Sequence, residues 1–443
     1  MQLSPLDAAA RLAGSRGRVL LHSARDDDGL GRWSFVAADP TAVLIARGHS
    51  LVRLDAEGRP VRRFTADPFD AAEAFLAEHG CTRSPAADAP PEPRVIGYLG
   101  YDLARVEHRL SSATRNAAAR TESGGDLWLA AYGAVARWRP GGDDCELVGP
   151  DAAALAAKLA RPARASLPPS FGPLSALDDA AHHLARIDRI RDYLAAGDVY
   201  QVNLARRLVA RIHAPGDALA VYRALAAASP APYGALLEAD GATVISGSPE
   251  RFLAAVGDRV ETRPIKGTSP AGDAAALLAS EKDAAEHLMI VDLERNDLGR
   301  VAEIGSVRVD AMRYVVDLPA LHHLVSRVSA QPRAGTGYAA LLRATFPGGS
   351  ITGAPKLRAM QIIDELEPVR RGPYCGALGY FGARGAFDLA IAIRIGVLTA
   401  NELRVHVGGG IVADSDPAAE LAETELKASG WRAALEQLAT ARP

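Results

Sequence analysis

The sequence contains little cysteine, few aromatic residues (5%) and no long apolar run. Its three cysteines, Cys81, Cys145 and Cys375, lie far apart and form no CxxC pair, so neither a disulfide scaffold nor a zinc module is indicated. No stretch approaches the roughly 18 uninterrupted apolar residues that a membrane-spanning helix requires. Residues 1–12 lack the basic and then apolar pattern of a secretory signal. We therefore predict a reduced, cytoplasmic protein without a membrane partner.

The charge is nearly balanced, because 50 lysine and arginine residues face 53 aspartate and glutamate residues in a chain of 443. The net charge of -3 provides no broad basic field, so we expect no nucleic-acid partner. A small anionic substrate is compatible with this balance, since it needs only a few well-placed cations. The apolar (48%) and charged (23%) fractions are typical of globular proteins. A chain of this length buries about three-quarters of its unfolded surface.

Two segments rich in proline and small residues divide the chain. They span 84–94 and 161–173, and their composition favours extended backbone that packs poorly. We therefore predict an N-terminal region over 1–165 and a second region over 174–440. No internal repeat and no long block of like charge suggests a further division.

Hydrophobic periodicity predicts the elements of the second region. In 177–196 the apolar residues recur at three- and four-residue steps, which predicts an amphipathic helix. Short β-type runs over 234–268, separated by Asp-Gly and Gly-Asp pairs, predict an antiparallel meander. The other predicted elements are helices over 281–300 and 354–366, strands over 375–382, 387–397 and 403–412, and a last helix that begins at Asp416 and Pro417. Paired strands with helices clustered between them indicate the α+β class.

Two predicted helices carry acidic residues on one face. Glu420, Glu423 and Lys427 are three and four residues apart on the last helix, and Asp283 and Glu286 are three apart on an earlier one. Paired carboxylates of this kind are able to hold Mg²⁺, a hard cation that takes oxygen ligands. The alternative is that these side chains form solvated surface ion pairs, and the spacing alone favours that alternative.

Other segments are open to two interpretations. The glycine-rich segments 347–356 and 407–416 either hold an anion through backbone N–H groups or form tight turns. The first is not a nucleotide-binding loop, because Ala354 follows Gly353 where that motif requires lysine. Lys266 ends an apolar strand, and it is able to act as a nucleophile only if burial lowers its pKa. An ordinary ion-paired lysine is the alternative.

The order of these segments is more specific than any one of them. Together they resemble the chorismate-utilising enzymes, which include anthranilate synthase large subunits, aminodeoxychorismate synthase component I, and isochorismate and salicylate synthases. The resemblance rests on GDVYQVNLARRL (197–208), SGSPERFL (246–253), ETRPIKGT (261–268), EHLMIVDLERNDLGRV (286–301), HHLVS (322–326), FPGGSITGAPKLRAMQIIDELEP (346–368), YCGALGYF (374–381), IAIRI (391–395) and GGGIVADSDP (408–417). It implies a sandwich of two antiparallel β-sheets with helices packed outside. It also makes 174–440 the chorismate-binding catalytic region and 1–165 the N-terminal region of the family, the expected place of a tryptophan pocket and of a glutaminase contact.

The resemblance further implies roles for single residues. Glu286 and Glu423 would bind Mg²⁺, which holds a ring carboxylate of chorismate, and Asp283 and Glu420 would support them. Glu250 would be the general acid that protonates the departing hydroxyl. The remaining implied residues contact the substrate carboxylates or line the pocket: His323, Thr352, Tyr374, Arg394, Gly408 and Lys427.

Two positions indicate which reaction the resemblance implies. Family members that add water carry a lysine base where this sequence has Gln201, and a neutral amide cannot take a proton from water, so Gln201 favours amination. Anthranilate synthases usually read PIAGT where this chain reads PIKGT, and Lys266 resembles the lysine of aminodeoxychorismate synthases. That lysine attacks carbon 2 of chorismate as the 4-hydroxyl departs. Ammonia then attacks carbon 4 and expels it, giving 4-amino-4-deoxychorismate for 4-aminobenzoate and folate synthesis.

Ammonia and regulation are implied less directly. Cys375 does not lie in the nucleophile turn of a glutamine amidotransferase, so we expect ammonia from a separate glutaminase subunit or from free ammonium.

One alternative to the amination at carbon 4 is an anthranilate synthase large subunit. Another is a non-catalytic homologue that senses tryptophan in a pocket near Ser23 of the N-terminal region, although His22 stands where feedback-inhibited relatives have glutamate.

Overall fold

The computed structural model describes residues 2–25, 29–83, 89–108, 110, 125–164, 167–270, 274–317 and 321–440. Its helices are α1 (Pro5–Arg11), α2 (Pro68–Glu78), α3 (Leu103–Glu107), α4 (Ala152–Leu159), α5 (Ala180–Ala195), α6 (Ala218–Ala228), α7 (Ala274–Ala279), α8 (Glu281–Gly299), α9 (Tyr338–Thr345), α10 (Lys356–Leu366) and α11 (Pro417–Thr440). Its strands up to residue 176 are β1 (Val19–His22), β2 (Ser34–Ala37), β3 (Ala42–Arg47), β4 (Ser50–Leu54), β5 (Pro60–Thr65), β6 (Pro93–Leu99), β7 (Leu127–Ala131), β8 (Val135–Trp138), β9 (Glu146–Val148), β10 (Ser170–Phe171) and β11 (Ser175–Ala176). The later strands are β12 (Gln201–Ala214), β13 (Tyr233–Ala239), β14 (Ala242–Ser248), β15 (Arg251–Val256), β16 (Arg259–Arg263), β17 (Ile265–Pro270), β18 (Arg308–Asp317), β19 (Leu321–Ala330), β20 (Gly353–Ala354), β21 (Ala377–Gly382), β22 (Phe387–Ile391), β23 (Ile395–Leu398) and β24 (Glu402–Ile411).

The strands form two antiparallel sheets. The first sheet has the order β10-β12-β24-β23-β14-β13-β1-β2-β8-β9, with β11 and β20 also paired to β12. The second has the order β17-β19-β16-β15-β22-β21-β6-β7-β3-β4-β5, with β18 also paired to β19. The regions 1–165 and 174–440 that the linkers separate in the sequence therefore contribute strands to both sheets.

The first sheet is buried on both faces, and alternation along its strands decides which side chain faces which layer. In β1, Val19 and Leu21 belong to a core that also contains Ile96 of the second sheet. Leu20 belongs to a different core, which contains Trp431 of α11 and buried residues of α1, α4 and α6. The first sheet thus packs against the second sheet on one face and against helices on the other. This arrangement confirms the predicted α+β sandwich.

Most elements predicted for the second region are present. The helix predicted over 177–196 is α5, and those predicted over 281–300 and 354–366 are α8 and α10. The continuous strand predicted over 387–397 is wrong, because the chain there forms two strands, β22 and β23. Arg394 separates them with a φ of 51°, a left-handed conformation that interrupts extended backbone.

The helices also bear on two other expectations. The last helix begins as predicted, since the Asp416 Oδ1 accepts a hydrogen bond from the Ala419 N–H at 2.8 Å and Pro417 takes the first helical position. In the part of the chain that the structure describes, no helix is both long enough and apolar enough to cross a membrane.

Candidate active site

The predicted site residues are carried by segments of both sheets and by two helices. Strands β12, β20 and β24 of the first sheet form one side, and β20 pairs with the start of β12 directly after a short 3₁₀ turn at Gly349–Ile351. The second sheet contributes β17, which carries Lys266, and the end of the β14–β15 turn, which carries Glu250. Helices α8 and α11 supply the carboxylates.

Lys266 interacts with the 3₁₀ turn, with Glu250 and with both helices. Its Nζ donates a hydrogen bond to the carbonyl oxygen of Ser350 at 3.1 Å. Burial lowers the pKa of the Lys266 amine, and the strongest opposing charge is that of Glu250. The other charges that act on this amine are, in decreasing order, those of Lys427, Glu286 and Glu423. The lysine therefore lies close to the predicted general acid and to both predicted metal ligands, and its lowered pKa favours the nucleophilic, neutral form.

Glu250 is enclosed in the same interior. It is 4% exposed, and burial raises the pKa of its carboxyl, which favours the protonated form. The Ile265 N–H donates to its Oε1 at 3.4 Å, which links the carboxyl to the residue before Lys266. Its backbone oxygen accepts a hydrogen bond from the Ile391 N–H at 3.0 Å. The environment of Glu250 therefore favours the protonated carboxyl more than an exposed site would.

Gln201 begins β12 and is fully buried, with 0% exposure. Neither its Oε1 nor its Nε2 has a hydrogen-bond partner among the residues that the structure describes. Gly410 on the neighbouring strand makes room for this amide, since a Cβ at that position would lie 1.9 Å from Nε2. Buried polar groups are nearly always hydrogen-bonded, so we expect this amide to interact with a bound ligand or water.

Helix α11 lies against the glycines of β24. The Glu423 carboxylate and the Lys427 ammonium form an ion pair of 2.6 Å, and Lys427 also donates to the Gly408 carbonyl at 2.8 Å. A Cβ on Gly409 would lie 3.2 Å from Glu420 Oε2 and 3.9 Å from both Glu423 Oε1 and Lys427 Nζ. The absence of a side chain at Gly409 therefore lets the charged face of the helix approach the strand.

The carboxylates of α8 and α11 fit a divalent cation. Glu286 and Glu423 act on the same buried lysine from two different helices, and Glu420 is fixed behind them by a hydrogen bond from Ser415 Oγ at 2.6 Å. Mg²⁺ is commonly held by one or two carboxylates, with its other positions left to water and substrate. Within the described ranges no cluster of three or more His, Cys, Asp or Glu side chains forms a metal cage. The side chain of Asp283 lies outside the described part of the chain.

Arg394 contributes a second cation to the site. Burial lowers the pKa of its guanidinium, and its side chain forms no hydrogen bond or ion pair with any described residue. His323 lies near it and is neutral, because burial and then the charge of Arg394 lower its pKa to about 4. Arg394 is half-buried, and a bound carboxylate would supply both a counter-charge and a matching pair of acceptors for its guanidinium.

Tyr374 and Thr352 are held rigidly. The Tyr374 ring stacks on that of His406 with centroids 5.3 Å apart and an interplanar angle of 15°, and the Arg371 guanidinium lies 6.0 Å from its centroid. Burial raises the pKa of Tyr374 well above its usual range, so its hydroxyl stays protonated. The buried Thr352 hydroxyl donates to the Gly348 carbonyl at 3.0 Å, which fixes the turn before β20.

Two polar groups of this site are not predicted from the sequence. The Ser350 carbonyl accepts a hydrogen bond from Lys266, and the Asn203 Nδ2 donates to the same oxygen at 3.1 Å. A backbone carbonyl has no residue-type signal, so no sequence pattern selects it. Asn203 stands two residues after Gln201 in a strand, where alternation places both side chains on one face, and that spacing was the available signal.

Glu294 is a further residue that the sequence analysis omitted. Burial, and then the neighbouring charge of Glu250, raise the pKa of Glu294 to about 8, and its Oε2 accepts a hydrogen bond from Thr262 Oγ1 at 2.8 Å. It follows Glu286 by two helical turns on α8, so both lie on one face. This spacing was visible in the sequence.

Ser23, predicted for a tryptophan pocket, belongs to a different part of the first sheet. Its Oγ donates to the Arg25 carbonyl at 2.6 Å, and its N–H donates to Ser34 Oγ at 3.1 Å. The adjacent His22 Nδ1 lies 2.8 Å from the Tyr222 hydroxyl, and burial lowers the pKa of His22 to about 4. Binding of tryptophan here stays a prediction.

A cavity of about 510 Å³ lies elsewhere, at the N-terminal end of α9. Glu73, Arg83, Glu303 and Tyr338 are among the residues that line it. None of the predicted site residues lines this cavity, so it is separate from the site built around Lys266.

Comparison with known proteins addresses the resemblance directly. The family described as chorismate binding enzyme matches residues 21–432 of this chain. The chain belongs to this family. The match extends well beyond the segments that carry the resemblance and includes most of the N-terminal region, so both regions are typical of chorismate binding enzymes.

Relatives within the family have two different activities. Aminodeoxychorismate synthase component 1 of Klebsiella aerogenes is 40% identical over 421 residues, which cover 92% of this chain and 91% of that protein. Anthranilate synthase component 1 of Streptomyces coelicolor is 38% identical over 462 residues, which cover 95% of this chain and 84% of that protein. Because these identities are close, the choice between the two reactions depends on single residues of the site.

A solved structure of the family has the same fold. Anthranilate synthase component I from Streptococcus pneumoniae TIGR4 superimposes with a TM-score of 0.78 at 28% identity, covering 90% of this chain and 92% of that chain. This similarity confirms the anthranilate-synthase-like sandwich that the sequence predicted.

Proposed function

We propose that this chain converts chorismate and ammonia to 4-amino-4-deoxychorismate, as component I of an aminodeoxychorismate synthase. The observation that carries the proposal is the half-buried Lys266, whose Nζ donates to the Ser350 carbonyl at 3.1 Å and is acted on by the charges of Glu250, Glu286 and Glu423. Direct addition of ammonia at carbon 2, as in anthranilate formation, needs no amine from the protein. An amine buried among the predicted acid and metal ligands has a chemical use in replacing the hydroxyl at carbon 4.

The first step joins Lys266 to the ring. The lone pair of the neutral Lys266 amine forms a bond to carbon 2, both ring double bonds shift by one position towards carbon 4, and the C4–O bond breaks. Glu250 donates its proton to the departing hydroxyl, which leaves as water. The nitrogen of Lys266 then releases one proton and remains bound to carbon 2.

The second step releases Lys266. The lone pair of ammonia forms a bond to carbon 4, both double bonds shift back, and the electron pair of the bond between carbon 2 and the lysine nitrogen returns to Lys266. The added nitrogen loses a proton and the lysine recovers one. Chorismate and ammonia are thereby converted to 4-amino-4-deoxychorismate and water, and one difficult substitution is divided into two easier ones.

The substrate carboxylates would be held by the cations and donors around the ring. Arg394 offers a guanidinium fork with no described counter-ion, and such a fork matches a carboxylate with two parallel hydrogen bonds. Tyr374 offers a hydroxyl that stays protonated. Lys427 and the backbone at Gly408 are joined by a 2.8 Å hydrogen bond and would contact the same carboxylates, whereas Thr352 and His323 would line the pocket.

Glu286 and Glu423 would hold Mg²⁺, and Glu420 and Asp283 would support them. When bound, the cation would neutralise a ring carboxylate of chorismate and fix the orientation of the ring. Glu423 is ion-paired with Lys427 at 2.6 Å, so this carboxylate would exchange a lysine partner for the cation. Lys427 would then be free to turn to the substrate.

Ammonia would reach the site from a separate glutaminase component or from free ammonium. Gln201 would bind the ammonia. Both polar atoms of its side-chain amide are buried and have no partner among the described residues, so the oxygen can accept hydrogen bonds and the nitrogen can donate them. The product would serve 4-aminobenzoate and folate synthesis, and a cytoplasmic location agrees with that use.

An anthranilate synthase large subunit is the second candidate. Its support is the 38% identity to anthranilate synthase component 1 of Streptomyces coelicolor, and Lys266 is the residue that argues against it. A tryptophan-sensing homologue without catalysis is disfavoured by the intact set of Glu250, Lys266, Glu286 and Glu423.

Product analysis separates these candidates. The purified chain is incubated with chorismate, Mg²⁺ and ammonium, and the products are separated by chromatography and identified by mass. We expect 4-amino-4-deoxychorismate and no fluorescent anthranilate. Anthranilate as the main product would overturn the assignment, and isochorismate formed without any nitrogen source would show a hydrating enzyme instead.

A further inference from the structure

One backbone oxygen accepts hydrogen bonds from two side chains of different strands. The Ser350 carbonyl accepts from Lys266 Nζ of β17 at 3.1 Å and from Asn203 Nδ2 of β12 at 3.1 Å. A carbonyl oxygen has two acceptor lone pairs, so Asn203 and Lys266 together use both. The position of the Lys266 amine therefore depends on the direction in which this carbonyl points.

The backbone of Asn203 is already fixed without its side chain. Its N–H donates to the Thr352 carbonyl at 2.8 Å, and its carbonyl accepts from Arg371 Nη2 at 2.7 Å. Arg371 also donates to the Ile351 carbonyl at 3.0 Å, so the turn that contains Ser350 has its own attachment to the fold. The side-chain amide of Asn203 is therefore not needed to hold the strand and the turn together.

We propose that Asn203 is a positioning residue for Lys266, which holds the Ser350 carbonyl so that the lysine amine is directed at the substrate ring. The inference rests on the proposed function, because it assigns Asn203 to the step in which Lys266 attacks carbon 2. With one carbonyl lone pair taken by Asn203, the amine has a single acceptor direction left. With one N–H held on that oxygen, the lone pair of the neutral amine is limited to the two remaining directions before chorismate arrives.

The expected effect is confined to the first step. A misplacement of about 1 Å at a reacting group costs up to about 100-fold in rate, so loss of the Asn203 donor should slow the attack of Lys266 by about 10- to 100-fold. Binding of chorismate should change less than about 2-fold, since Asn203 donates to a backbone oxygen and not to the groups proposed for the carboxylates.

Two variants test the donor separately from the shape. Asn203→Leu removes the amide at similar volume, and Asn203→Asp keeps the shape but replaces the donor with an acceptor. Asn401→Leu, in the exposed β23–β24 turn, is the matched control. Each protein is mixed with chorismate and Mg²⁺ without ammonia, and the rate at which Lys266 gains the mass of chorismate minus water is followed by mass spectrometry. Affinity for chorismate is measured by calorimetry, and product ratios are measured with ammonium added.

The inference predicts slow adduct formation, unchanged affinity and a higher share of anthranilate in both Asn203 variants, with Asn401→Leu unchanged. A fall in affinity, stability and both products together would show a structural role and overturn it, and so would an unchanged adduct rate. If the unaltered protein forms neither adduct nor 4-amino-4-deoxychorismate, the proposed function is wrong and this inference falls with it. If the unaltered protein forms both the adduct and 4-amino-4-deoxychorismate, the proposed function stands, and the Asn203 variants alone test the role of Asn203.

Discussion

At the scale of single residues, the chemistry depends on a lysine that must lose its charge. An unperturbed lysine with a pKa near 10.4 is neutral in about one molecule of 2,500 at pH 7, a penalty of roughly 4.6 kcal/mol. Burial and the nearby Lys427 both lower the pKa of Lys266 and so reduce this penalty. The carboxylates of Glu286 and Glu423 instead raise the pKa of Lys266. A cation bound to them would offset this effect.

Glu250 offers a prediction about acid catalysis. Burial raises the pKa of its carboxyl, so Glu250 stays protonated to a higher pH than an exposed glutamate and loses its proton as the pH rises through the raised pKa. We expect Glu250→Gln, which cannot donate a proton, to lower kcat about 100- to 10,000-fold. The rate of the unaltered enzyme should fall as the pH rises through the pKa of Glu250, and the residual rate of Glu250→Gln should not show this fall. Steady-state kinetics from pH 6 to 9 check both points.

The control for this prediction is Glu57→Gln, because Glu57 lies in the exposed β4–β5 turn. Its kcat and pH profile should match those of the unaltered protein. A Glu250→Gln variant that keeps more than about one-tenth of the activity would exclude Glu250 as the general acid.

The sequence points to the titratable side chains of the candidate site but not to the groups that orient them. Lys266, Glu250 and Glu286 stand in recognisable segments, and the structure places their charges within interaction range of each other. Ser350 lies 84 positions from Lys266, and the contact uses a backbone atom, so no pattern of residue types predicts it. Asn203 lies in the segment 197–208 that carries the family resemblance, but its contact with the site runs through the Ser350 carbonyl.

At the scale of elements, two helices bring a carboxylate each to one lysine, Lys266. Helices α8 and α11 are separated by more than a hundred residues in the sequence, yet Glu286 and Glu423 act on the same amine. The side chain missing at Gly409 allows α11 to approach β24. Spacing within one helix favoured surface ion pairs, and the proposal of a shared cation site depends on the packing of the two helices, which brings both carboxylates to act on Lys266.

Removal of Mg²⁺ tests this pair of helices. We expect EDTA to lower the rate of 4-amino-4-deoxychorismate formation at least 100-fold, with recovery on adding Mg²⁺, because the substrate carboxylate loses its counter-charge. Thermal unfolding should be unchanged by EDTA, since the donor set suits a cation shared with substrate and not a structural metal. Titration calorimetry of Mg²⁺ into Glu286→Ala should show lost binding. Full activity in excess EDTA would contradict the assignment.

Three of the predicted helices have bounds close to those observed, whereas the meander predicted over 234–268 is divided between the two sheets, with β13 and β14 in the first and β15 to β17 in the second. Helices α5, α8 and α10 follow from apolar periodicity and caps. The break between β22 and β23 does not, because Arg394 takes a positive φ of 51° that its residue type disfavours. Arg394 is also one of the predicted substrate-binding residues, so the break in the strand falls at a position of the candidate site.

At the scale of the whole molecule, the sheets and not the sequence regions are the structural units. The path of the first sheet passes from β13 to β1 and β2, and that of the second passes from β21 to β6 and β7. Composition showed linkers but carried no signal for strand pairing across them. The sandwich class followed from family resemblance, whereas the order of strands needed the structure.

The buried histidines predict how stability depends on pH. Burial lowers the pKa of His183 and His323 to about 4, below the unfolded value near 6.5. The stability that each neutral imidazole contributes is therefore complete above pH 6.5 and is lost as the pH falls towards 4. Linkage gives a loss of about 2 kcal/mol per histidine at pH 5. The raised pKa of Asp102, to about 7, acts in the opposite direction.

The variant His183→Leu isolates one of these contributions. Urea unfolding at pH 7.5 and at pH 5 should show a smaller loss of unfolding free energy in the variant, by about 2 kcal/mol, than in the unaltered protein. His182→Leu, at the exposed neighbouring position, should show no such change. Equal losses in the unaltered protein and His183→Leu would mean that His183 is not held neutral by the fold.

The central claim is that Lys266 bonds transiently to carbon 2 of chorismate, and peptide mass spectrometry after incubation with chorismate and Mg²⁺ in the absence of ammonia tests it most directly. We predict an adduct of chorismate minus water on the peptide that contains Lys266. It should disappear when ammonium is added and be absent from Lys266→Ala, while Lys158→Ala, a surface control, still forms it. No adduct in the unaltered protein, together with undiminished formation of 4-amino-4-deoxychorismate by Lys266→Ala, would contradict the claim.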